Sequence, residues 1–432
     1  MRPALLGRLA VLAAIAALVV PVAAQANEVT NWNSIAQSTI LAQPPNASAP
    51  PASAVFMAMV QGSVYGAVNA IDRQHRPYLV NRRFPHASEE AAVATAAFRV
   101  LDGLFPAQHA ALQAQYDSSL AGIPDGQAKE QGIDVGTEAA GTMLAQGHDG
   151  RAGPFPPLPP AGIGYWQPLI GPSGNPLLDP SPWVALAQPF LIRSGSQFRS
   201  AGPSPLTSAA YATDVNEVQL LGALDSPFRT QEETHLAVFW QSNPLATWNG
   251  VARRLVDERG LGLTDSALLF GMLDLTAADS QINCWNDKYH FGSWRPITAI
   301  READQDDNPA TIADPSWQPL FVPTLDPAIA GAGPPLITPP FPEDPSGHLC
   351  YTSSSASALQ AFLGTDDLSF YVTSSRFPGE RQYFSRLSDV TAQVLEARIW
   401  AGIHFRTADE EGALLGQQVA RYGLQHYFEA LH

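Results

Sequence analysis

Apolar residues recur along most of this chain at the three- and four-residue intervals of an amphipathic helix, and alternating runs of the strand type are few. Helical periodicity covers residues 53–71, 89–104, 107–120 and 127–146, and resumes over 208–221, 230–241 and 245–259. A longer pattern begins at Thr264 and runs through the stretch KYHFGSWRP, residues 288–296. Further helices are expected from DPSGH, residues 344–348, to about Leu363, over 380–401, and from near Thr407 to the C-terminus. Thr230 with Glu233, and Thr407 with Glu410, have the spacing of capping boxes. The pattern predicts an all-α protein. Two stretches break it. Residues 153–189 are Pro-rich and carry Gly162, Gly164, Gly171 and Gly174, which marks an irregular connector. Residues 302–344 are rich in Pro and Asp with no period, and a loop of that length reads as a lid or site wall. The expected organisation is an N-terminal helical scaffold over 27–152, a Pro-rich connector over 153–206 and a C-terminal helical catalytic region over 207–432.

The first residues change the picture of where the chain works. Arg2 and Arg8 precede an apolar run, and Ala24-Gln25-Ala26 follows it as a small-residue cleavage site. Residues 1–26 therefore read as a secretory signal peptide. Its removal takes two arginines and no acid, so the formal charge of −16 becomes still more negative. So acidic a body argues against nucleic acid as partner. After Val20 no uncharged apolar run of eighteen residues is read, so no integral membrane segment is expected once the signal is cleaved, and the protein is expected to be secreted or periplasmic. The two cysteines, Cys284 and Cys350, are permitted a disulfide in such a compartment, and spacing leaves that pairing open.

Against this acidic background the cations of the C-terminal half stand out. Trp285, Lys288, Gly292 and Arg295 fall on one stripe of a helix expected to end near Arg295, because Pro296 disfavours helical geometry before it. Asp344-Pro345 has the form of an N-cap followed by proline at the first helical position, which would leave the amides of Ser346, Gly347 and His348 as anion donors. Arg398 and His404 lie six residues apart, with Gly402 able to break the helix between them. Three cations, a helix N-terminus, a serine and two histidines match the needs of in-line chemistry at one tetrahedral oxyanion.

The spacings K-x6-RP (Lys288, Arg295, Pro296), PSGH (345–348) and R-x5-H (Arg398, His404) resemble the type-2 phosphatidic acid phosphatase and vanadium-dependent haloperoxidase superfamily, in its secreted bacterial members. The resemblance is strong over residues 284–409 and looser in the N-terminal third. It implies the double four-helix-bundle-like architecture of that superfamily. It implies that Lys288, Arg295, Ser346, Gly347 and Arg398 bind oxyanion oxygens and that His348 is the acid–base residue. His404 is implied as the axial residue, vanadium ligand in a haloperoxidase or phosphorylated nucleophile in a phosphatase. Trp285 and Phe341 match positions near the oxidised halide, which favours the haloperoxidase, with vanadate as cofactor and peroxide and halide as small-molecule substrates. The alternatives are a soluble secreted phosphatase acting on a phosphate ester through a phosphohistidine, without a cofactor, and a non-catalytic phosphate-binding helical protein. One departure concerns the aspartate that often orients the axial histidine from four residues on. Ala408 stands there, Asp409 is one residue late, and a backbone carbonyl is the expected substitute.

Overall fold

The computed structural model describes residues 27–171 and 173–431, so the signal segment expected over 1–26 lies outside the described residues. Its N-terminal helices are α1 (Glu28–Leu41), α2 (Pro45–Ser48), α3 (Pro50–Asp72), α4 (Glu89–Leu104), α5 (His109–Ala121) and α6 (Gln127–Ala145). After the Pro-rich connector come α7 (Ala209–Leu221), α8 (Gln231–Phe239), α9 (Pro244–Arg259), α10 (Leu263–Phe291) and α11 (Pro296–Arg301). The chain then runs through α12 (Pro327–Ala330), α13 (Gly347–Leu363), the strands β1 (Asp367–Val372) and β2 (Gln382–Arg386), α14 (Leu387–Trp400) and α15 (Arg406–Tyr427). Among the described residues the all-α expectation holds apart from one antiparallel hairpin.

α10 is the axis of the molecule. It packs against α3 on one side and α13 and α15 on another, while α4 packs on α3 and α6. A helix covered on several faces must be apolar nearly all round, and α10 is buried at almost every position from Ser266 to Lys288. Its buried polar residues are each used. Asp279 accepts the amides of Phe190, Leu191 and Ile192 at 2.7, 2.7 and 2.8 Å, and so pins the connector to the bundle. The principal core cluster runs from Val29 to Phe428. α3 is the one described helix long and apolar enough to cross a membrane, contrary to the expectation that no such run follows Val20. Its apolar window is wholly buried inside the bundle, which accounts for that composition.

Several boundaries differ from the periodicity. α10 stops at Phe291, before Arg295, because Gly292 takes a left-handed conformation (φ 63°) and returns its amide to the Lys288 carbonyl. Arg295 is the N-cap of the next helix, α11. The helix expected over 380–401 is shorter, since 382–386 pair with 367–372 and Phe370 packs on Phe384 with ring centroids 5.7 Å apart. The Thr230–Glu233 capping box is present. The Thr407–Glu410 box is not: Phe405 is the N-cap of α15, and Thr407 faces Asp214 instead.

Candidate functional site

Four pieces of chain supply the site: the end of α10 with the turn to Arg295, the segment 341–348, the end of α14 with the bend to His404, and the start of α15. Gly402 (φ 75°) makes that bend, and a Cβ there would lie 2.5 Å from the Gly222 carbonyl oxygen. The Asp344-Pro345 N-cap is corrected by the structure. That peptide bond is cis, the Asp344 amide goes to Ser293 Oγ at 3.1 Å, and the helix starts one residue beyond Ser346. The Ser346 amide is not free either, since it donates to the Ala408 carbonyl at 2.9 Å. The unbonded first-turn amides therefore belong to Gly347, His348 and Leu349, ahead of the first intrahelical bond from Cys350 to Ser346.

The predicted site residues are brought together. Lys288, Arg295, Ser346, Arg398 and His404 are all at most 2% exposed, and the His404 ring lies within electrostatic reach of Arg295, Lys288, Arg398 and His348. Phe341, Gly347 and His348 are half-buried and form the accessible edge of the site. Gly347 is required by packing, for a Cβ there would stand 2.8 Å from the Trp285 ring. Trp285 is itself fixed by a bond from its Nε1 to Asp179 at 2.9 Å, and its ring lies 5.1 Å from that of Phe341. The Lys288 ammonium is 5.5 Å from the Trp285 ring and 5.3 Å from that of Phe341.

The hydrogen bonds assign states to both histidines. His404 Nδ1 lies 2.8 Å from Glu343 Oε1, and its Nε2 lies 3.2 Å from Arg295 Nη1. A guanidinium only donates, so Nε2 is the bare nitrogen and Nδ1 carries the proton. Burial and the neighbouring cations Arg295, Lys288 and Arg398 hold this imidazole well below its ordinary pKa, in agreement with a neutral ring. The orienting group is thus the carboxylate of Glu343, not a backbone carbonyl and not Asp409. Glu343 also accepts the Phe405 amide at 3.0 Å. Burial and then Asp344 push its pKa up, against the pull of Arg295 and Lys288. His348 lies against the backbone of Ser242, and its Nε2 is buried with no partner. Burial, Arg398 and Lys288 keep it neutral too.

The cations divide in two ways. The Lys288 ammonium donates to the carbonyls of Pro342, Glu343 and Pro345 at 3.2, 2.8 and 2.5 Å, so all three of its N–H bonds anchor the site wall and its charge is what it offers as it stands. Arg295 holds the carbonyls of Phe341, Pro342 and Ile403 at 2.9, 3.3 and 2.8 Å. Arg398 bonds only Gln241, at 3.0 Å, and its Nε has no partner. Burial lowers both guanidiniums to about 10, which leaves them charged at neutral pH. Ser346 Oγ is likewise buried and makes no hydrogen bond of normal geometry, although the Asp409 carboxyl stands beside it. Asp409 lies fully buried beside Ser346 and Arg398, its pKa well above the carboxylate range through burial. Cys284 and Cys350 are both buried and both free, so no disulfide joins them.

Sequence reasoning missed Glu343, Gln241, Ser242 and Asp179. Glu343 left one trace, a buried carboxylate two residues ahead of Pro345, and the other three come from segments whose approach only the fold reveals.

Residues 268–432 match the family model described as the VCPO second helical-bundle domain. Vanadium chloroperoxidase from Curvularia inaequalis is 29% identical over 145 residues, and the match spans 30% of this chain and 22% of that protein. Among solved structures, the first bacterial vanadium-dependent iodoperoxidase superposes with a TM-score of 0.75 at 20% identity, over 93% of this chain and 97% of the other. A holo-type bacterial vanadium-dependent chloroperoxidase superposes with a TM-score of 0.65 at 18% identity, over 91% and 95% of the two chains. At those identities the superpositions establish the helical-bundle fold.

Proposed function

We propose that this chain, similar over residues 268–432 to the VCPO second helical-bundle domain and in part to vanadium chloroperoxidase, is a haloperoxidase, oxidising halide with hydrogen peroxide at a vanadate held by His404. The observation that carries the reading is a set of buried polar atoms with no hydrogen bond of normal geometry, on side chains chosen from spacing alone: Ser346 Oγ, His348 Nε2 and Arg398 Nε. An unpaired buried polar atom is costly, and these three stand on residues grouped with His404, where a polar ligand would satisfy them. The donors are cationic or hydroxylic, which fits an oxyanion such as vanadate.

His404 would hold the cofactor through its bare Nε2, kept in that tautomer by Glu343. Ser346 Oγ, the Arg398 guanidinium and the first-turn amides of α13 would bind its oxygens, with Lys288 and Arg295 offsetting its charge. Vanadate, when bound, supplies a Lewis-acidic centre that activates peroxide without changing oxidation state. His348 stands ready to take a proton from peroxide at Nε2 and return one later. Its depressed pKa suits a base, and an anion bound beside it would raise that pKa toward neutrality. Trp285 and Phe341 would border the halide on a dry face, since Trp285 is 2% exposed. Secretion or periplasmic placement, resting on residues 1–26, belongs to the same reading.

The test is to dialyse the purified protein against orthovanadate and follow halide-dependent peroxide consumption beside hydrolysis of a chromogenic phosphate ester. Peroxide consumption that needs vanadate and is inhibited by phosphate is expected. Ester turnover alone would transfer the assignment to a phosphatase in which His404 attacks phosphorus.

A further inference from the structure

Behind the candidate site lies a cavity of about 290 Å³ that none of the chemistry above uses. It meets the candidate site at Glu343, but Lys288, Arg295, His348, Arg398, Trp285 and Phe341 do not line it. The ionisable side chains of its lining other than tyrosines are all acidic: Asp214, Glu343 and Asp344 face it beside Ser204, Ser293 and Thr407, and none of the described lining residues is Lys, Arg or His. Its apolar lining is aromatic. Tyr211 lies nearly parallel to Trp294 with ring centroids 6.5 Å apart and meets Phe405 edge-on at 6.2 Å, while Tyr165, 40% exposed, stands at the rim.

One lining atom lacks a partner: Asp344 is 1% exposed and its Oδ1 has no hydrogen bond, while the Tyr211 hydroxyl, on a residue 4% exposed, stands beside Asp306 and Trp294. Glu217 and Glu410 stand near Asp214, and Glu411 and Asp287 near Asp344; Glu217 is paired with Arg406 and Asp287 with Arg199, and Glu410 and Glu411 add negative charge. The cation that acts most on Asp344 is Lys288, whose N–H bonds are already taken by backbone carbonyls.

We propose that this cavity binds a small organic ammonium ion, its charge facing Asp344 and Asp214 and its alkyl groups lying against Tyr211, Trp294 and Phe405. Aromatic faces attract alkylammonium groups because the ring quadrupole is negative above its plane. An anion would meet three carboxyl groups with no counter-charge in the lining. A neutral apolar molecule would leave Asp344 Oδ1 unpaired. A bare metal ion is disfavoured because no group of three or more His, Cys, Asp or Glu in the described residues is arranged to hold one.

Choline and its uncharged carbon isostere, 3,3-dimethyl-1-butanol, differ only in charge and make the probe pair. Isothermal titration of the full chain, without vanadate, keeps the outcome independent of the haloperoxidase reading. One choline is expected to bind per chain, about tenfold or more tighter than the isostere. Asp344→Asn and Asp214→Asn should each weaken choline about tenfold, and Tyr165→Ala, at the rim, should weaken it by a smaller factor. If Asp344→Asn does not fold, Asp214→Asn and Tyr165→Ala decide the matter. Equal binding of the two probes, no binding of choline, or choline binding unchanged in Asp214→Asn and Tyr165→Ala would overturn the proposal.

Discussion

The bond between His404 Nδ1 and Glu343 selects which nitrogen of that ring is free to meet a ligand. Carboxylate partners of ligating histidines set tautomer and basicity, and their loss commonly costs 10–100-fold in affinity. Glu343→Ala should therefore weaken vanadate binding by about that factor, and Glu343→Gln, which keeps an acceptor, should recover much of it. Equal losses in the two variants would show that Glu343 acts through packing alone. A second carboxyl gives a pH test of stability. Asp274 is fully buried, accepts from Asn249 at 2.8 Å, has Oδ2 unpartnered, and is pushed by burial from 3.8 to about 7. Between pH 4 and 7 the native carboxyl then holds a proton that the unfolded chain has released, so its contribution to stability falls as pH rises through that window. Asp274→Asn removes the dependence. The variant should gain stability relative to wild type at pH 8, on the order of a few kcal/mol, and gain little at pH 4.5. Urea midpoints at the two pH values measure the difference, and an equal gain at both would contradict the assignment.

At the scale of elements, the site depends on how closely α13 and α15 approach. A Cβ at Gly416 would stand 2.2 Å from Ser353 Oγ and 2.3 Å from the Cys350 carbonyl oxygen, and one at Gly412 would stand 2.6 Å from the Ser346 carbonyl oxygen. Backbone cannot yield as a flexible side chain can. Gly416→Ala should cost about 1–3 kcal/mol in chemical denaturation and displace the first turn of α13, weakening vanadate binding as well. An unchanged denaturation midpoint would refute the close-packing account. The same elements show what the sequence discloses. α4 and α9 are plain in the spacing of their apolar residues, and the PSGH helix lies within a residue or two of its expected ends. The hairpin after α13 was hidden because Tyr383, Phe384 and Leu387 also suit a helical face. The end of α10 was hidden because Gly292 outweighs a stripe that continues in residue type to Arg295.

Over the whole molecule, local motifs disclosed the cationic and imidazole groups of the site, while the fold supplied their support. Lys288, Arg295, Ser346, His348, Arg398 and His404 were legible because their chemistry is carried by residue type at short spacing. Gln241, which holds Arg398, and Asp179, which holds Trp285, were not, since each is more than 100 residues from its partner and depends on how the connector and α8 wrap α10. The result is an acidic body enclosing a small cationic chamber assembled from separate parts of the chain. An oxyanion bound there would bridge α13, α14 and the bend to His404, so it should stabilise the native state by about 2.7 kcal/mol at a hundredfold excess over its Kd. A rise in the thermal midpoint with vanadate, and a smaller one with phosphate, is the expected readout.

The most direct measurement is a calorimetric titration of orthovanadate into wild-type protein and into His404→Ala. One vanadate per chain, displaced by phosphate and undetectable in His404→Ala, is the result expected of a single oxyanion held on that imidazole. Failure of the wild type to bind, or binding that persists undiminished in His404→Ala, would contradict it.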